Sequence, residues 1–374
     1  MKIAIDLLWV KPNKSGGIES YIKNLLQGFI AVNIEHKIIL ILSNDNIDSF
    51  QNLLKFENFS YHLCPINSCN VKQTILWENF KLDKLISKLN VDFCFVPFYR
   101  KPLFTKKNNK YIVTIHDLQA LHFPEYFSFL KLLWLKFAWR QSVKSAYHII
   151  AISEFVKKDI ITRFKCNSNK ITTIYNPILC YNEFASFQEL SLKYEIKTKD
   201  YYYTISSLLK HKNLITILKL IKKIKDDANS SLPNKLVISG IKGNEESTLK
   251  EYIKENNIED NCIFTGYIRE GDKNTLIKNS RLFLFPSIFE GFGMPIIESI
   301  KLGTNVVTTK LASIPEVSKG LCTYVNDPFD IEEWFKALEI AEEKNVNYTF
   351  PEYNIDTIAL EYIKMFETCE NYNK

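Results

Sequence analysis

The sequence predicts an α/β protein built as two Rossmann-like domains facing a central cleft. Three observations carry this. Short β-branched or aromatic runs alternate with helical patterns along the chain. Most of these runs are apolar throughout, as in parallel strands covered by helices on both faces. And 374 residues exceed what a single core usually serves, while two α/β halves accommodate them.

In the first half the predicted strands are "KIAIDLLW", "HKIILILS", "YHLCPI", "VDFCFVPF", "YIVTIH", "YHIIAIS" and "KITTIYN". Helical stretches fall between several of them, and Tyr21, Ile22, Leu25, Leu26 and Phe29 line one face of the first. The second half follows with "DYYYTISS", a helix through "LITILKLIKKIKDD", then "KLVISG", "CIFTGYI", "RLFLFPS" and "NVVTT". The seam lies in "YNPILCYNEFASFQEL", residues 175–190, which gives domains 1–178 and 179–352. A closing helix over about 353–374 is expected to return to the first domain. Ligands of such sheets lie beyond the carboxyl ends of the strands, and with two domains the expected site is the cleft between them.

Composition narrows the function. A chain that is 46% hydrophobic and 24% charged is globular rather than disordered. The cysteines at 64, 69, 94, 166, 180, 262, 322 and 369 form no Cys-x-x-Cys pair, so they read as reduced, mostly buried thiols of a cytosolic protein. "MKIAIDLLWV" contains Asp6 and no small-residue cleavage site, which fits a first strand and not a signal peptide. No apolar run approaches membrane-spanning length. Residues 1–175 carry 24 Lys+Arg against 13 Asp+Glu, a balance of +11, whereas residues 176–374 carry 24 against 29, a balance of −5. The basic half suits an anionic partner or is a solubilising surface. Nucleic acid ranks last, since no aromatic platform or binding motif accompanies the charge. No Gly-x-Gly-x-x-Gly follows the first strand, no P-loop occurs, and no Asp-x-Asp pair offers ligands for a metal-bridged diphosphate.

Several strand ends carry candidate chemistry. Gly16 and Gly17, between the first strand and its helix, let backbone N–H groups approach a phosphate or sugar, or simply form a flexible turn. His116 ends "YIVTIH"; it either hydrogen-bonds a sugar hydroxyl or is a satisfied strand-end histidine. Lys212 follows the first strand of the second half, where it meets a diphosphate as a point charge or is one more surface lysine. The stretch 126–145 is helical and almost apolar all round, with Lys136, Arg140 and Lys144 at i, i+4 spacing and Arg100 and Lys101 upstream. It is either an anionic-membrane contact or a buried helix with a solvated basic edge.

The most informative stretch is "RLFLFPSIFEGFGMPIIESI", Arg281 to Ile300. Pro295 suits the first position of a helix that Gly303 stops, which places Glu298 in the first turn and Glu290 in the preceding loop. The glycines leave the N–H groups of Gly291, Phe292, Gly293 and Met294 able to reach a ligand at the positive end of that helix. Two carboxylates beside such amides suit the diol, hydroxyls and diphosphate of a nucleotide-sugar.

At these residues the chain resembles the retaining glycosyltransferases of family 4, with the GT-B fold. Glu290 and Glu298 form the Glu-x7-Glu pair, and "TIHDLQALHFPEYF", "AISEFVKKDII", "SSLLKHKNL", "FTGYI" and "SIPEVS" follow the family's order over roughly residues 1–350. The "HDL…FPEYF" stretch is similar to bacterial enzymes that add mannose- or rhamnose-type sugars to O-antigen or capsule chains. The resemblance implies that Glu298 binds the ribose, that Glu290 and the amides of 292–294 hold the donor sugar, and that Lys212 neutralises the diphosphate. It further implies that Ile268 contacts the base through its backbone, that His116 lies beside the reacting sugar, and that Gly16 and Gly17 face donor or acceptor. One departure stands out: many relatives carry Gly-Arg where this chain has Ser206-Ser207, so Ser207 takes the arginine's place. Lys210, His211 or backbone amides then complete the phosphate clamp.

The same resemblance implies an acceptor-binding first domain, a nucleotide-sugar-binding second domain and no metal or other cofactor beyond the nucleotide-diphosphate sugar co-substrate. It points to a polyprenyl-diphosphate-linked saccharide as acceptor. With the basic half, it implies a cytoplasmic protein peripheral on the inner face of the plasma membrane. The alternatives of other classes are a nucleotide-sugar 2-epimerase of the same fold and a non-catalytic nucleotide-sugar-binding protein. A glycosidase needs its two carboxylates across a scissile bond, not on one loop and helix.

Overall fold

All twelve strands read from the sequence form, and every ladder is parallel. The computed structural model describes residues 1–12, 16–179, 183–344 and 346–371. Residues up to Leu179, together with those from Pro351 onward, make one unit, and the residues between them make the other.

The first unit is built on β1 (Lys2–Asp6), β2 (Lys37–Ser43), β3 (Phe59–Cys64), β4 (Phe93–Val96), β5 (Tyr111–Ile115), β6 (His148–Ala151) and β7 (Ile171–Thr173), in the order β3-β2-β1-β4-β5-β6-β7. The second is built on β8 (Tyr202–Ile205), β9 (Leu236–Ser239), β10 (Cys262–Gly266), β11 (Phe283–Phe285), β12 (Val306–Thr309) and β13 (Thr323–Val325), in the order β10-β9-β8-β11-β12-β13. The sequence reading lacked β13, a three-residue edge strand with no apolar run to announce it. In each sheet the chain reverses its direction of travel once, between β1 and β4 and between β8 and β11. Loops diverge there and leave room for a ligand.

Helix α1 (Gly17–Ala31) buries the predicted face of Tyr21, Ile22, Leu25, Leu26 and Phe29 completely. Further on lie α2 (Phe129–Ser145), α3 (Glu270–Asn279), α4 (Met294–Lys301) and α5 (Ile355–Asn371). α5 supplies Ile358, Ala359, Tyr362 and Phe366 to the same core as α1. The two helices approach closely at Gly28, where a Cβ would stand 2.3 Å from the Ile355 carbonyl oxygen. The Tyr21 hydroxyl is 3.1 Å from Thr114 Oγ1 and also bonds the Tyr362 hydroxyl, so both helices are tied to β5, which His116 follows.

Helix α2 starts at Phe129, three residues later than expected, because Pro124–Tyr126 forms a separate 3-10 turn. It is neither wholly buried nor wholly exposed. Leu135, Ala138, Trp139 and Val143 face the protein, while Phe129, Leu133 and Phe137 are 76%, 56% and 49% exposed. Of the described cysteines, all are free thiols; Cys64, Cys94, Cys262, Cys322 and Cys369 are buried, Cys69 is exposed, and Cys180 lies outside the described residues.

Candidate functional site

The switch point of the second sheet brings Lys212 and Glu290 together. Lys212 closes a 3-10 turn, Lys210–Lys212, that follows β8. Asn213 then adopts a left-handed conformation, φ 51, which asparagine tolerates better than most residues, and its Nδ2 donates to Pro328 O at 2.9 Å. The turn is held to the β11 exit by Ile288 N, which donates to His211 O at 2.8 Å. That exit is itself pinned from β12: Thr308 Oγ1 donates to Phe285 O at 2.7 Å and Thr309 Oγ1 to Ser287 O at 2.6 Å. As a result Lys212 Nζ donates to Glu290 Oε1 at 2.5 Å, and Ser287 Oγ donates to the same oxygen at 2.5 Å. The Lys212 ammonium also stands 5.8 Å from the Phe285 ring centroid. Asn213, Thr308 and Thr309 did not stand out in the sequence, because each acts on a backbone carbonyl brought near only by the fold, and Ser287 did not because a serine three residues from a glutamate carries no signal.

The segment Ser206–Leu209, which holds Ser207, leads into this turn. Gly240 (φ +135) passes so close that a Cβ would lie 1.8 Å from Ser206 O. Ser207 is partly buried, and its carbonyl accepts from Leu209 N at 2.8 Å. His211 is buried, and burial followed by the Lys212 charge pushes its pKa down to about 3. The imidazole is therefore neutral near pH 7, so His211 can join a phosphate clamp as a hydrogen-bonding group but not as a cation. Lys210 is exposed.

Gly293 (φ 94) ends the loop, and α4 begins at Met294. Pro295 occupies the second helical position, where its missing N–H leaves no intrahelical bond unmade. Glu298 is therefore the fifth residue of the helix, not in the first turn as expected. Gly291, Phe292 and Gly293 are buried and Met294 is half-buried. Ser313 Oγ donates to Glu290 O at 2.9 Å, fixing the loop from the "SIPEVS" segment. Glu298 Oε2 accepts from Lys273 Nζ at 3.1 Å. Each glutamate of the pair thus has its own lysine. Ile268 follows β10, just past Gly266, whose carbonyl accepts from Gly240 N at 2.9 Å.

In the first unit, Gly16 (φ 58) caps α1, its carbonyl accepting from Glu19 N at 3.0 Å, and Gly17 is the first helical residue. Both are exposed; residues 13–15 of that loop lie outside the described residues. His116 follows β5, with Nε2 3.2 Å from Pro97 O. A carbonyl only accepts, so Nε2 carries the proton and Nδ1 keeps its lone pair. Burial, against that hydrogen bond, lowers the pKa to about 4. The ring also meets Tyr21 edge-on, with centroids 4.9 Å apart.

Two basic residues expected at an anionic-membrane contact lie in the interior instead. Arg100 is buried and paired with the buried Glu78. Lys101 is buried too, its Nζ donating to Pro102 O at 3.2 Å and Thr105 Oγ1 at 3.0 Å. Neither belongs to an anion-facing surface; each satisfies its charge or donors internally. Lys136, Arg140 and Lys144 are exposed on α2. Among the described residues no helix is long and apolar enough to cross a membrane, and no group of three or more His, Cys, Asp or Glu could hold a metal ion.

Two parallel α/β units, with charged groups gathered at a switch point, define the class. Residues 15–179 match the family model Glycosyltransferase Family 4, and residues 186–354 match Glycosyl transferases group 1. The chain belongs to this glycosyltransferase family. It is 27% identical to O-antigen chain mannosyltransferase B of Escherichia coli over 59% of this chain and 58% of that protein. It is 26% identical to O-antigen chain mannosyltransferase RfbU of Salmonella typhimurium over 62% of this chain and 60% of that one. The matches thus span about three fifths of these relatives' own lengths. The crystal structure of Anabaena HepE in complex with UDP and glucose superposes with a TM-score of 0.71, at 16% identity, over 98% of this chain and 100% of that one. That likeness shows the fold, which is of the GT-B class.

Proposed function

We propose that the protein is a retaining, metal-independent hexosyltransferase. It moves a mannose- or rhamnose-type sugar from a nucleoside-diphosphate sugar to a polyprenyl-diphosphate-linked saccharide, in the synthesis of a bacterial surface polysaccharide such as O-antigen or capsule. The observation that carries this reading is the Lys212–Glu290 contact at 2.5 Å, set at the β8/β11 switch point beside the start of α4. The arrangement offers an ammonium for the diphosphate, a carboxylate for sugar hydroxyls and a helix start for negative charge. Similarity to two O-antigen chain mannosyltransferases supports the sugar class.

In the reaction, the acceptor hydroxyl oxygen bonds to the anomeric carbon while the bond to the diphosphate oxygen breaks. The leaving phosphate, on the same face of the sugar, takes the hydroxyl proton. Charge grows on that phosphate as the bond breaks, and Lys212 and the start of α4 stabilise it in the transition state. Glu298 holds the ribose and Ile268 the base. In the first unit, His116 offers Nδ1 to a sugar hydroxyl, and Gly16 and Gly17 face the ligand with their backbone. The protein works at the inner face of the plasma membrane, held by α2.

The test is a thermal-shift screen against UDP, GDP and dTDP, followed by transfer from the matching donor to lipid-linked acceptors. A ligand that binds only the folded state raises the melting temperature. A shift with one nucleotide, together with acceptor-dependent transfer and retention at the anomeric carbon, supports the reading. Isomerised donor in the absence of acceptor would mark an epimerase instead, and binding without turnover a non-catalytic protein.

A further inference from the structure

Lys273 is a buried cation beside Glu298 with no part in the proposed contacts to the donor. It is the fourth residue of α3 and only 7% exposed. Its Nζ lies 3.1 Å from Glu298 Oε2 on α4 and 2.6 Å from Glu270 Oε2, one turn back on its own helix. Burial pulls its pKa down, but the charges of Glu298 and Glu270 and their hydrogen bonds outweigh this and raise it, so the ammonium stays charged. An ordinary i, i+3 pair on a helix surface is solvated and adds little. Lys273 differs because it is enclosed and reaches across to a second helix. It ties the segment after β10, where Ile268 lies, to the helix that carries Glu298.

The charge balance is informative. One ammonium against two carboxylates leaves the cluster with a net negative charge, so it suits hydroxyl donors and not phosphate. With Oε2 bound to Lys273, the carboxylate of Glu298 is fixed in rotation and its other lone pairs are directed elsewhere.

We infer that Lys273 is the positioning residue for Glu298, holding its carboxylate in the orientation that receives the pentose hydroxyls of a nucleoside diphosphate, the 2′,3′-diol of UDP or GDP or the single 3′-hydroxyl of dTDP. This rests on the proposal that Glu298 binds the ribose. Lys273 touches no reacting atom; it sets how tightly the donor is held, and transfer once the donor is bound depends little on it.

Titration calorimetry with UDP, GDP and dTDP, and donor KM and kcat, are measured for the wild type, Lys273→Met, Lys273→Arg, Glu298→Gln and the double variant K273M/E298Q. Melting temperatures confirm folding. Lys273→Met is expected to weaken the bound nucleotide by about tenfold or more and to raise donor KM, with kcat nearly unchanged. Lys273→Arg keeps the charge and recovers most of the affinity. In the Glu298→Gln background the Lys273 substitution should cost almost nothing further, because the two act as one unit. Equal additional loss in that background would overturn the inference, as would unchanged donor KM in both Lys273 variants. If Lys273→Met does not fold, Lys273→Gln, which removes the charge but keeps a polar head of similar length, carries the test: the same loss of affinity is expected, and an unchanged donor KM would overturn the inference. If Glu298→Gln binds nucleotide as the wild type does, or the wild type binds none of the three, the ribose reading itself fails and the inference with it.

Discussion

Lys212 and Glu290 share a contact at 2.5 Å although 78 residues separate them in the chain. Both side chains are mostly buried, at 17% and 13% exposure. A diphosphate must therefore compete with Glu290 for the ammonium, and the two proposed donor contacts are coupled. Removing either partner leaves the other charge poorly compensated and is expected to lower stability by about 1–3 kcal/mol. Lys212→Ala and Glu290→Gln should each reduce transfer by at least about a hundredfold while the protein stays folded. The double variant Lys212→Met/Glu290→Gln removes both charges. It is expected to regain part of the lost melting temperature without regaining turnover. Near wild-type turnover in Lys212→Ala would overturn the site assignment.

The fold was legible because most of its strands are apolar runs whose pattern depends on their own residues alone. β13 escaped because a three-residue edge strand carries too little pattern. Glu290 stood out through the glycines beside it and Lys212 through its place after a strand. Their partnership did not, since it depends on a sheet order that reverses between β8 and β11. Lys273 is one of 48 Lys and Arg residues, and only its burial against Glu298 distinguishes it. Arg100 and Lys101 failed in the opposite direction: a basic cluster in sequence looks solvated until a buried Glu78 is found opposite.

His116 is expected to be neutral throughout the working range. Its Nε2–H faces Pro97 O, and burial lowers the pKa to about 4. Nitrogen-15 NMR of the imidazole should show the Nε2–H tautomer, with protonation only near pH 4. His116→Ala should slow transfer without removing a limb near pH 6.5 from the rate profile. An imidazole that titrates near 6.5 would contradict this assignment.

Helix α2 presents Phe129, Leu133 and Phe137 beside Lys136, Arg140 and Lys144 on its exposed side. The proposed membrane contact therefore predicts co-sedimentation with anionic vesicles over neutral ones. Each basic residue near such a surface is worth about 1 kcal/mol, so reversing all three should cut binding by roughly a hundredfold or more. Arg100→Ala should instead lower the melting temperature, because it strands Glu78 in the interior. Equal binding to neutral and anionic vesicles would count against the contact.

Asp6, at the end of β1, makes stability depend on pH. It is buried, its Oδ1 accepts from Leu8 N at 3.1 Å, and the titratable groups that feel its charge or act on it include Glu78, Arg100, Cys64, Cys94 and Tyr111. Burial first, and then the charge of Glu78, raise its pKa from 3.8 to about 8, against the Leu8 hydrogen bond and Arg100. The folded state therefore binds a proton that the unfolded state has released between about pH 4 and 8. The stability this proton supplies is fully present below about pH 4 and is lost as pH rises through about 8. At its steepest the slope is about 1.4 kcal/mol per pH unit. Asp6→Asn keeps an acceptor for Leu8 N and cannot ionise. Its melting temperature should gain on the wild type steadily from pH 5 to 8 and then level off. A difference that stays constant across that range would show that Asp6 is not the protonated group.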